Sequence, residues 1–365
     1  MTTFGLTGAA GFLGWHTRAH LRATGIEPKL AHRETVGDAA TLRRFVSDVD
    51  VVLHVAGVNR GSDSEVYEGN VELADNLAAA LAASDEPRAV VFANSTKAGD
   101  DSAYGRSKER AGQILADTQA TLGGRFVDVR LPHLFGEHGK PFYNSGVTTF
   151  AYQLANGQEP QIDVDSELEL FHAQDAAALL IRSADVGSDP PQPKGRRILV
   201  SEALALLRRL SAPYLTNGVI PEMVDAFEVR MFNMFRSHLF PNHVPIKLTP
   251  HRDGRGAFVE TVRSEGKGQV AVSTTAAGET RGEHFHFNKI ERFVVISGDA
   301  TVRIRRLLDD HIHQYFVSGD DPVAIDMPTL HAHNISNSGT RDLITMFWAN
   351  ELFEPDNPDT IREPV

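Results

Sequence analysis

A short apolar run, Thr3-Phe-Gly-Leu-Thr7, leads straight into Gly8-Ala-Ala-Gly11-Phe12-Leu13-Gly14, and a helical pattern starts at Trp15. Glycines at this spacing let the chain turn sharply and let its backbone come close to a ligand. A helix opening on such a turn offers unpaired N–H groups and the positive end of its dipole, which suits a pyrophosphate. Glycine triplets alone are a weak signal. Between a strand and a helix they point to a dinucleotide held by Gly8, Gly11, Phe12, Leu13 and Gly14. The second apolar run ends Ala31-His32-Arg33, with no acid where the ribose of NAD would want one. Arg33 is placed to pair with a 2′-phosphate, so NADPH is expected rather than NADH.

The rest of the first half alternates in the same way. Strands are expected at residues 3–7, 29–32, 51–55, 89–93 and 126–130, and helices at residues 15–23, 39–46, 71–83 and 104–118. This is the pattern of an α/β domain, a doubly wound parallel sheet of Rossmann type covered by helices. Residues 187–195, rich in proline and glycine, read as a loop, and helical patterns return at residues 201–210 and 221–238. From about residue 244 the texture changes to short strands between glycine turns, at residues 257–262, 269–274, 292–296, 300–305, 315–317 and 343–348. That spacing suits an all-β barrel or sandwich. With the boundary at residues 241–245, the expected domains are 1–243 and 244–365.

At 365 residues there is room for two cores. The formal charge of −12 and the lack of a Lys/Arg block argue against a nucleic-acid or anionic-membrane partner. With no cysteine, disulfides, a thiol nucleophile and thiolate metal sites are excluded. No signal peptide precedes the first strand and no apolar run approaches the roughly 20 residues of a membrane helix, so a cytoplasmic protein is expected.

Tyr104-Gly-Arg-Ser-Lys108 carries the first chemistry. Positions four apart share one helix face, so phenol and ammonium can reach one pocket. A neighbouring ammonium stabilises the phenolate and lowers its pKa from about 10. The tyrosine then exchanges a proton with a substrate oxygen while hydride moves at the same carbon. Ser95, after Phe92-Ala-Asn94, would hydrogen-bond that oxygen. With His54-Val-Ala56-Gly57, Asn70 and Arg130-Leu-Pro-His133-Leu-Phe-Gly136, these residues make the first two thirds resemble the extended short-chain dehydrogenase/reductase family. The resemblance implies a nucleotide-sugar substrate, a cofactor contact at Ala56, and Lys108 holding the ribose while tuning Tyr104. Ser95 is followed by Thr96-Lys97-Ala98 where family dehydratases carry an Asp-Glu pair, so dehydration is disfavoured. His133 stands where the family usually has asparagine.

A second constellation lies in Gly278-Glu-Thr-Arg-Gly-Glu-His284-Phe-His286-Phe-Asn-Lys-Ile-Glu291, with His333 further on. His284 and His286 alternate on an expected strand, so both rings point to one side. Three imidazoles and a carboxylate suit a divalent transition metal such as zinc, with manganese, iron and nickel as alternatives. Pro328-Thr-Leu-His331-Ala-His333 supplies the remaining element, with Leu330 where glycine is usual. His331 is the alternative to His333 as ligand. These stretches resemble the cupin superfamily. Arg255, in Asp253-Gly-Arg-Gly-Ala-Phe, and Arg281, in Arg-Gly-Glu-His, further resemble its sugar-nucleotide 3,5-epimerase branch. The C–H beside a 4-ketone is acidic because its carbanion delocalises as an enolate, and a base must remove it. Candidate bases are His331, Lys289 and His313, among which the sequence does not choose.

Reductase followed by cupin is the order found in a family of capsular-polysaccharide enzymes, which the chain resembles over nearly its whole length. The resemblance implies C3 epimerisation of a UDP-2-acetamido-2,6-dideoxy-4-hexulose by a zinc cupin. Reduction at C4 by NADPH would follow, giving UDP-N-acetyl-6-deoxy-L-talosamine on the way to N-acetyl-L-fucosamine. It also implies substrate contacts from Asn70, His133, Asn144, Arg255 and Arg281, and a homodimer formed chiefly through the cupin. The alternative is a C4-epimerase that retains NAD and uses its cupin only to bind sugar or to dimerise.

Overall fold

The computed structural model describes residues 2–84, 86–185, 192–356 and 358–365. The chain divides into two compact units, Met1–Phe135 with Glu167–Ile198, and Gly136–Ser166 with Leu199–Val365.

The first unit runs β1 (Phe4–Thr7), α1 (Phe12–Ala23), β2 (Lys29–Ala31), α2 (Arg33–Gly37), α3 (Ala39–Ser47) and β3 (Val51–His54). It continues with α4 (Asp63–Ala82), β4 (Ala89–Ser95), α5 (Ala103–Leu122), β5 (Phe126–Leu131) and β6 (His133–Phe135). After α6 (Gly146–Ala155), which belongs to the second unit, come β7 (Glu167–His172), α7 (Ala173–Arg182) and β8 (Arg196–Leu199). β1 to β5 form one parallel sheet in the order β2-β1-β3-β4-β5. β1 and β3 are buried along their whole length, as strands covered by helices on both faces must be. One core packs Phe45, Leu77 and Leu115 and the other Leu21, Leu53 and Leu180. The strand order reverses between β1 and β3, and in such sheets the ligand crevice lies beyond the carboxyl ends of those strands.

Two local features differ from the sequence expectation. α4 starts at Asp63 rather than near residue 71, because Ser62 and Glu65 form a reciprocal capping box, with Ser62 N donating to Glu65 Oε2 at 2.7 Å. β2 ends at Ala31, so Arg33 opens α2 instead of closing a strand. Of the loop expected at residues 187–195, residues 187–191 lie outside the described ones.

The second unit contains α6, α8 (Val200–Asn217) and α9 (Ala226–Ser237) beside the β-rich part of the chain. α9 begins at Ala226 because Asp225 caps it, accepting from Glu228 N at 3.0 Å; residues 221–225 are not helical. Then follow β9 (Ile246–Lys247), β10 (His251–Asp253), β11 (Gly256–Phe258), β12 (Gln269–Thr275), β13 (Thr280–Phe285) and β14 (Glu291–Ser297). The remainder is β15 (Asp299–Arg306), β16 (Ile312–Ser318), β17 (Val323–Met327), β18 (His331–Asn337), β19 (Leu343–Ala349) and β20 (Ile361–Arg362). Two antiparallel five-stranded sheets, β12-β19-β14-β17-β9 and β16-β15-β18-β13-β20, enclose a core that includes Phe293, Val302, Ile304, Met327 and Ile335. This is a jelly roll of cupin type. The strand expected at residues 257–262 is only the short β11, paired with β10 in a separate hairpin.

Division by compactness is therefore not division by secondary-structure type. Within the second unit a buried polar network binds α8 and α9 to the sheet. Arg292 on β14 donates to both carboxylate oxygens of Asp326 on β17, at 2.6 and 2.8 Å. Tyr214 on α8 donates to Asp326 Oδ2 at 2.6 Å, and Arg236 on α9 donates to Met327 O at 2.7 Å. Buried charge is tolerated only when paired and hydrogen-bonded in this way.

Candidate active site and metal centre

At the reversal point of the first sheet, the loops after β1 and β3 abut. Gly8 has a φ of 70°, and a Cβ there would lie 2.6 Å from Ala56 N. A Cβ on Gly14 would lie 2.1 Å from Gly8 O, so neither position admits a side chain without moving backbone. Thr7 Oγ1 accepts from Val55 N and Ala56 N at 3.2 Å and pairs with His54 Nδ1 at 2.9 Å, which ties the two loops together. Gly11 precedes α1, whose first turn has neither a side-chain cap nor an acid. The first turn thus brings no acid of its own to the leading amides, those of Phe12 and Leu13 among them. The glycine cradle and bare helix start fit a dinucleotide pyrophosphate. Arg33 is exposed at the start of α2.

Ser95 ends β4, and Tyr104 and Lys108 lie one turn apart on α5. Burial pushes the Tyr104 phenol up, and a hydrogen bond with Ser95 works the other way. Ser95 is thus brought to Tyr104. The expected lowering of the phenol by Lys108 is not what the structure gives. Lys108 is buried, with Nζ donating to Ala93 O at 2.7 Å and lying 4.0 Å from the centre of the Phe92 ring. Burial lowers its pKa to about 7, so it carries less charge than a free lysine and leaves the phenol protonated.

In the second unit His284, His286, Glu291 and His333 bring one ligand atom each to within 4.8 Å of one another. A tetrahedral zinc with bonds of about 2.1 Å sets its ligand atoms roughly 3.4 Å apart, so small side-chain adjustments suffice. The convergence depends on a bulge: the register of β13 against β18 shifts between Gly282 and His284, and Glu283 adopts a φ of 60°. β13 ends at Phe285, so His286 sits just past the strand rather than alternating along it. His333 lies opposite His284 on β18, and Glu291 opens β14.

The hydrogen bonds of the rings point to a cation. His286 Nδ1 donates to Asp359 O at 2.5 Å and His333 Nδ1 to His331 O at 3.1 Å, because a carbonyl can only accept. In neutral rings each Nε2 is then a lone pair. Both are buried, neither has a hydrogen-bond partner, and they face Glu291 Oε2 at 3.0 and 3.6 Å. Lone pairs turned on a carboxylate are repulsive without a positive charge between them. Burial, then His333 and His286, lower His284 to about 3, which keeps it neutral as a ligand must be. The donor set therefore fits a divalent metal such as zinc.

Other expected residues are placed differently. Asn70 is buried, its amide donating to Val58 O and Val66 O and accepting from Val58 N, so it positions a loop. Arg255 stands on the β10–β11 hairpin, 91 % exposed and paired with Asp253 at 2.6 Å. Arg281 donates to Thr274 O and Thr275 Oγ1, and Asn144 is exposed in a turn. His133 keeps a buried Nε2 with no hydrogen-bond partner. Of the three candidate bases, Lys289 is buried with Nζ committed to Pro358 O at 2.8 Å and Thr360 Oγ1 at 3.2 Å, so it is not a free base. His331 donates from Nδ1 to Thr329 O at 2.8 Å, and burial lowers it to about 3. It lies outside the four-ligand cluster, whereas His333 is within it. His313 is half-buried, edge-on to Phe240 at 4.8 Å. Asp359 escapes sequence reading altogether. It lies 73 residues from His286, and no motif marks it.

A doubly wound dinucleotide unit followed by a jelly roll with a three-histidine, one-carboxylate cluster defines a two-part nucleotide-binding enzyme class. The pattern of the NAD dependent epimerase/dehydratase family matches residues 5–194, and that of a polysaccharide biosynthesis C-terminal domain matches residues 251–361. The chain belongs to the NAD dependent epimerase/dehydratase family, in the branch that carries this C-terminal domain. It is 31 % identical, over 97 % of its own length and 96 % of the relative's, to the UDP-2-acetamido-2,6-beta-L-arabino-hexul-4-ose reductase of Pseudomonas aeruginosa. The crystal structure of the capsular polysaccharide assembling protein CapF from Staphylococcus aureus matches all of both chains, at 32 % identity and a TM-score of 0.66. The Bacillus subtilis spore coat polysaccharide biosynthesis protein SpsL is 27 % identical over 32 % of this chain and 85 % of its own. Among the described residues no helix is long and apolar enough to cross a membrane.

Proposed function

We propose that this chain is a bifunctional nucleotide-sugar enzyme. Its cupin domain, residues 244–365, epimerises C3 of a UDP-2-acetamido-2,6-dideoxy-4-hexulose, and its reductase domain, residues 1–243, reduces the C4 ketone with NADPH. The product is UDP-N-acetyl-6-deoxy-L-talosamine, and the working form is a cytoplasmic homodimer. The Ser95–Tyr104 hydrogen bond at the end of β4, with Lys108 one turn on, is the observation that carries the reading. It is supported by the end-to-end likeness to a reductase whose name places a ketone at C4.

NADPH, when bound, supplies hydride to C4. The ketone oxygen accepts hydrogen bonds from Ser95 and Tyr104, and Tyr104 gives it the proton that completes the alcohol. A phenol kept protonated by burial is suited to donate in this direction. Lys108 spends one N–H on Ala93 O and keeps a further N–H for the hydroxyls of the nicotinamide ribose. Arg33 reads the 2′-phosphate. In the cupin, His284, His286, Glu291 and His333 hold a divalent metal, zinc by its donor set, which when bound supplies Lewis-acid stabilisation beside the ketone. A base on the same domain takes the C3 proton, and reprotonation on the opposite face inverts the centre.

Single substitutions separate the two halves. Tyr104→Phe is expected to lower NADPH oxidation by about 10²–10⁴-fold, the usual contribution of a positioned acid, while solvent exchange at C3 persists. His286→Ala is expected to abolish that exchange and leave NADPH binding unchanged. If Tyr104→Phe oxidises NADPH at the parent rate, the assignment of the proton donor fails.

A further inference from the structure

Residues 358–365 form a strap along β13, the strand that bears His284. β20 pairs with β13, with Arg362 opposite His284 and Ile361 opposite Phe285. Glu363 N donates to Glu283 O and Val365 N to Glu283 Oε2, each at 2.9 Å. Further along, the strap is pinned by Arg305, which donates to Glu363 Oε1 at 2.7 Å.

At the head of the strap Asp359 wraps the turn that follows His286. Its Oδ1 accepts from Phe287 N at 2.9 Å, and its Oδ2 from Asn288 N and Lys289 N at 2.8 Å. Its own carbonyl accepts from His286 Nδ1 at 2.5 Å. Four hydrogen bonds thus run from one short segment, His286 to Lys289, to a single residue. Asp359 makes them with a φ of 36°, a conformation that a non-glycine residue keeps only where its surroundings over-determine it. The segment so held starts at one metal-ligand candidate and stops two residues short of another, Glu291.

We infer that Asp359 is a positioning residue of the metal centre, holding His286 as the Nδ1–H tautomer with Nε2 aimed at Glu291. The inference rests on the metal reading above. The carbonyl fixes which nitrogen carries hydrogen and raises the basicity of the other, as an outer partner of a ligating histidine does. The carboxylate keeps that carbonyl in place: with three N–H groups converging on it, it anchors the strap to the very turn the imidazole leaves from. Only a carboxylate suits this position, because an asparagine would turn its NH₂ onto at least one N–H donor.

The test uses Co²⁺ as the probe, added to metal-stripped full-length protein and read by its d–d absorption. Asp359→Gly, which tolerates the backbone conformation and deletes only the carboxylate, is expected to weaken Co²⁺ binding about 10–100-fold and to shift the absorption bands. Asp359→Asn is expected to do the same and carries the test should the glycine variant not fold. Glu363→Gln, which loosens the strap at Arg305, is expected to keep both the affinity and the spectrum of the parent. Parent affinity and spectrum in the Asp359 variants would overturn the inference and leave the metal reading standing. An equal loss in Glu363→Gln would overturn it too, since the effect would then belong to the strap as a whole. A parent protein that takes up no Co²⁺ would instead bring down the metal reading itself.

Discussion

Lys108 shows how one buried side chain sets the working range of a site. Burial lowers its pKa from 10.5 to about 7, with Asp128 opposing. Between these two values the unfolded chain holds a proton that the folded protein has released, so stability rises with pH across that window. The depressed lysine therefore costs stability at neutral pH and below, and the cost fades toward about pH 10.5. Urea unfolding of the parent and of Lys108→Met is expected to show this slope in the parent and its loss in the variant. Equal slopes would mean that Lys108 keeps its ordinary pKa. The spacing of Tyr104 and Lys108 was legible in the sequence because it is a helical repeat. The state of charge was not, because it depends on Ala93 O and the Phe92 ring, which reach the lysine only through the fold.

At the scale of elements, the sheet and its helices follow from apolar periodicity and the glycine loop. The departures have local causes. Residues 63–70, Asp-Ser-Glu-Val-Tyr-Glu-Gly-Asn, show little apolar repeat, and the capping box at Ser62 starts α4 there nonetheless. α7 buries mostly small side chains, Ala173, Ala176 and Ala177, beside Leu180. Leu330, at a site where glycine is usual, is buried with a φ of 60°, so the backbone demand persists without the residue that meets it most easily. The cluster of His284, His286, Glu291 and His333 was readable as a set of ligands, but the bulge at Glu283 that aims it was not. Nor does sequence periodicity reveal the pairing of Asp326 with Arg292, which ties α8 to the jelly roll through Tyr214. Asp326→Ala leaves a buried guanidinium uncompensated and is expected to cost about 3–5 kcal/mol in denaturant unfolding. A loss within about 0.5 kcal/mol, the range of ordinary surface changes, would show that the network contributes little.

For the whole molecule, the proposed function puts two chemistries on one chain with separate requirements. The reductase needs its glycine cradle and the Ser95–Tyr104 pair, and neither draws on the histidine cluster. Stripping metal with a chelator is accordingly expected to stop proton exchange at C3 while NADPH still binds with its original affinity, read by nucleotide fluorescence. Loss of both together would mean that the halves are not independent. The central claim is that one chain epimerises a 4-keto sugar and then reduces it, and the mass of the product formed in deuterated water tests it most directly. With the UDP-linked 4-keto sugar and NADPH, the account predicts product carrying one carbon-bound deuterium, at C3, and unlabelled hydride at C4. Reduced product with no deuterium at C3 would contradict it.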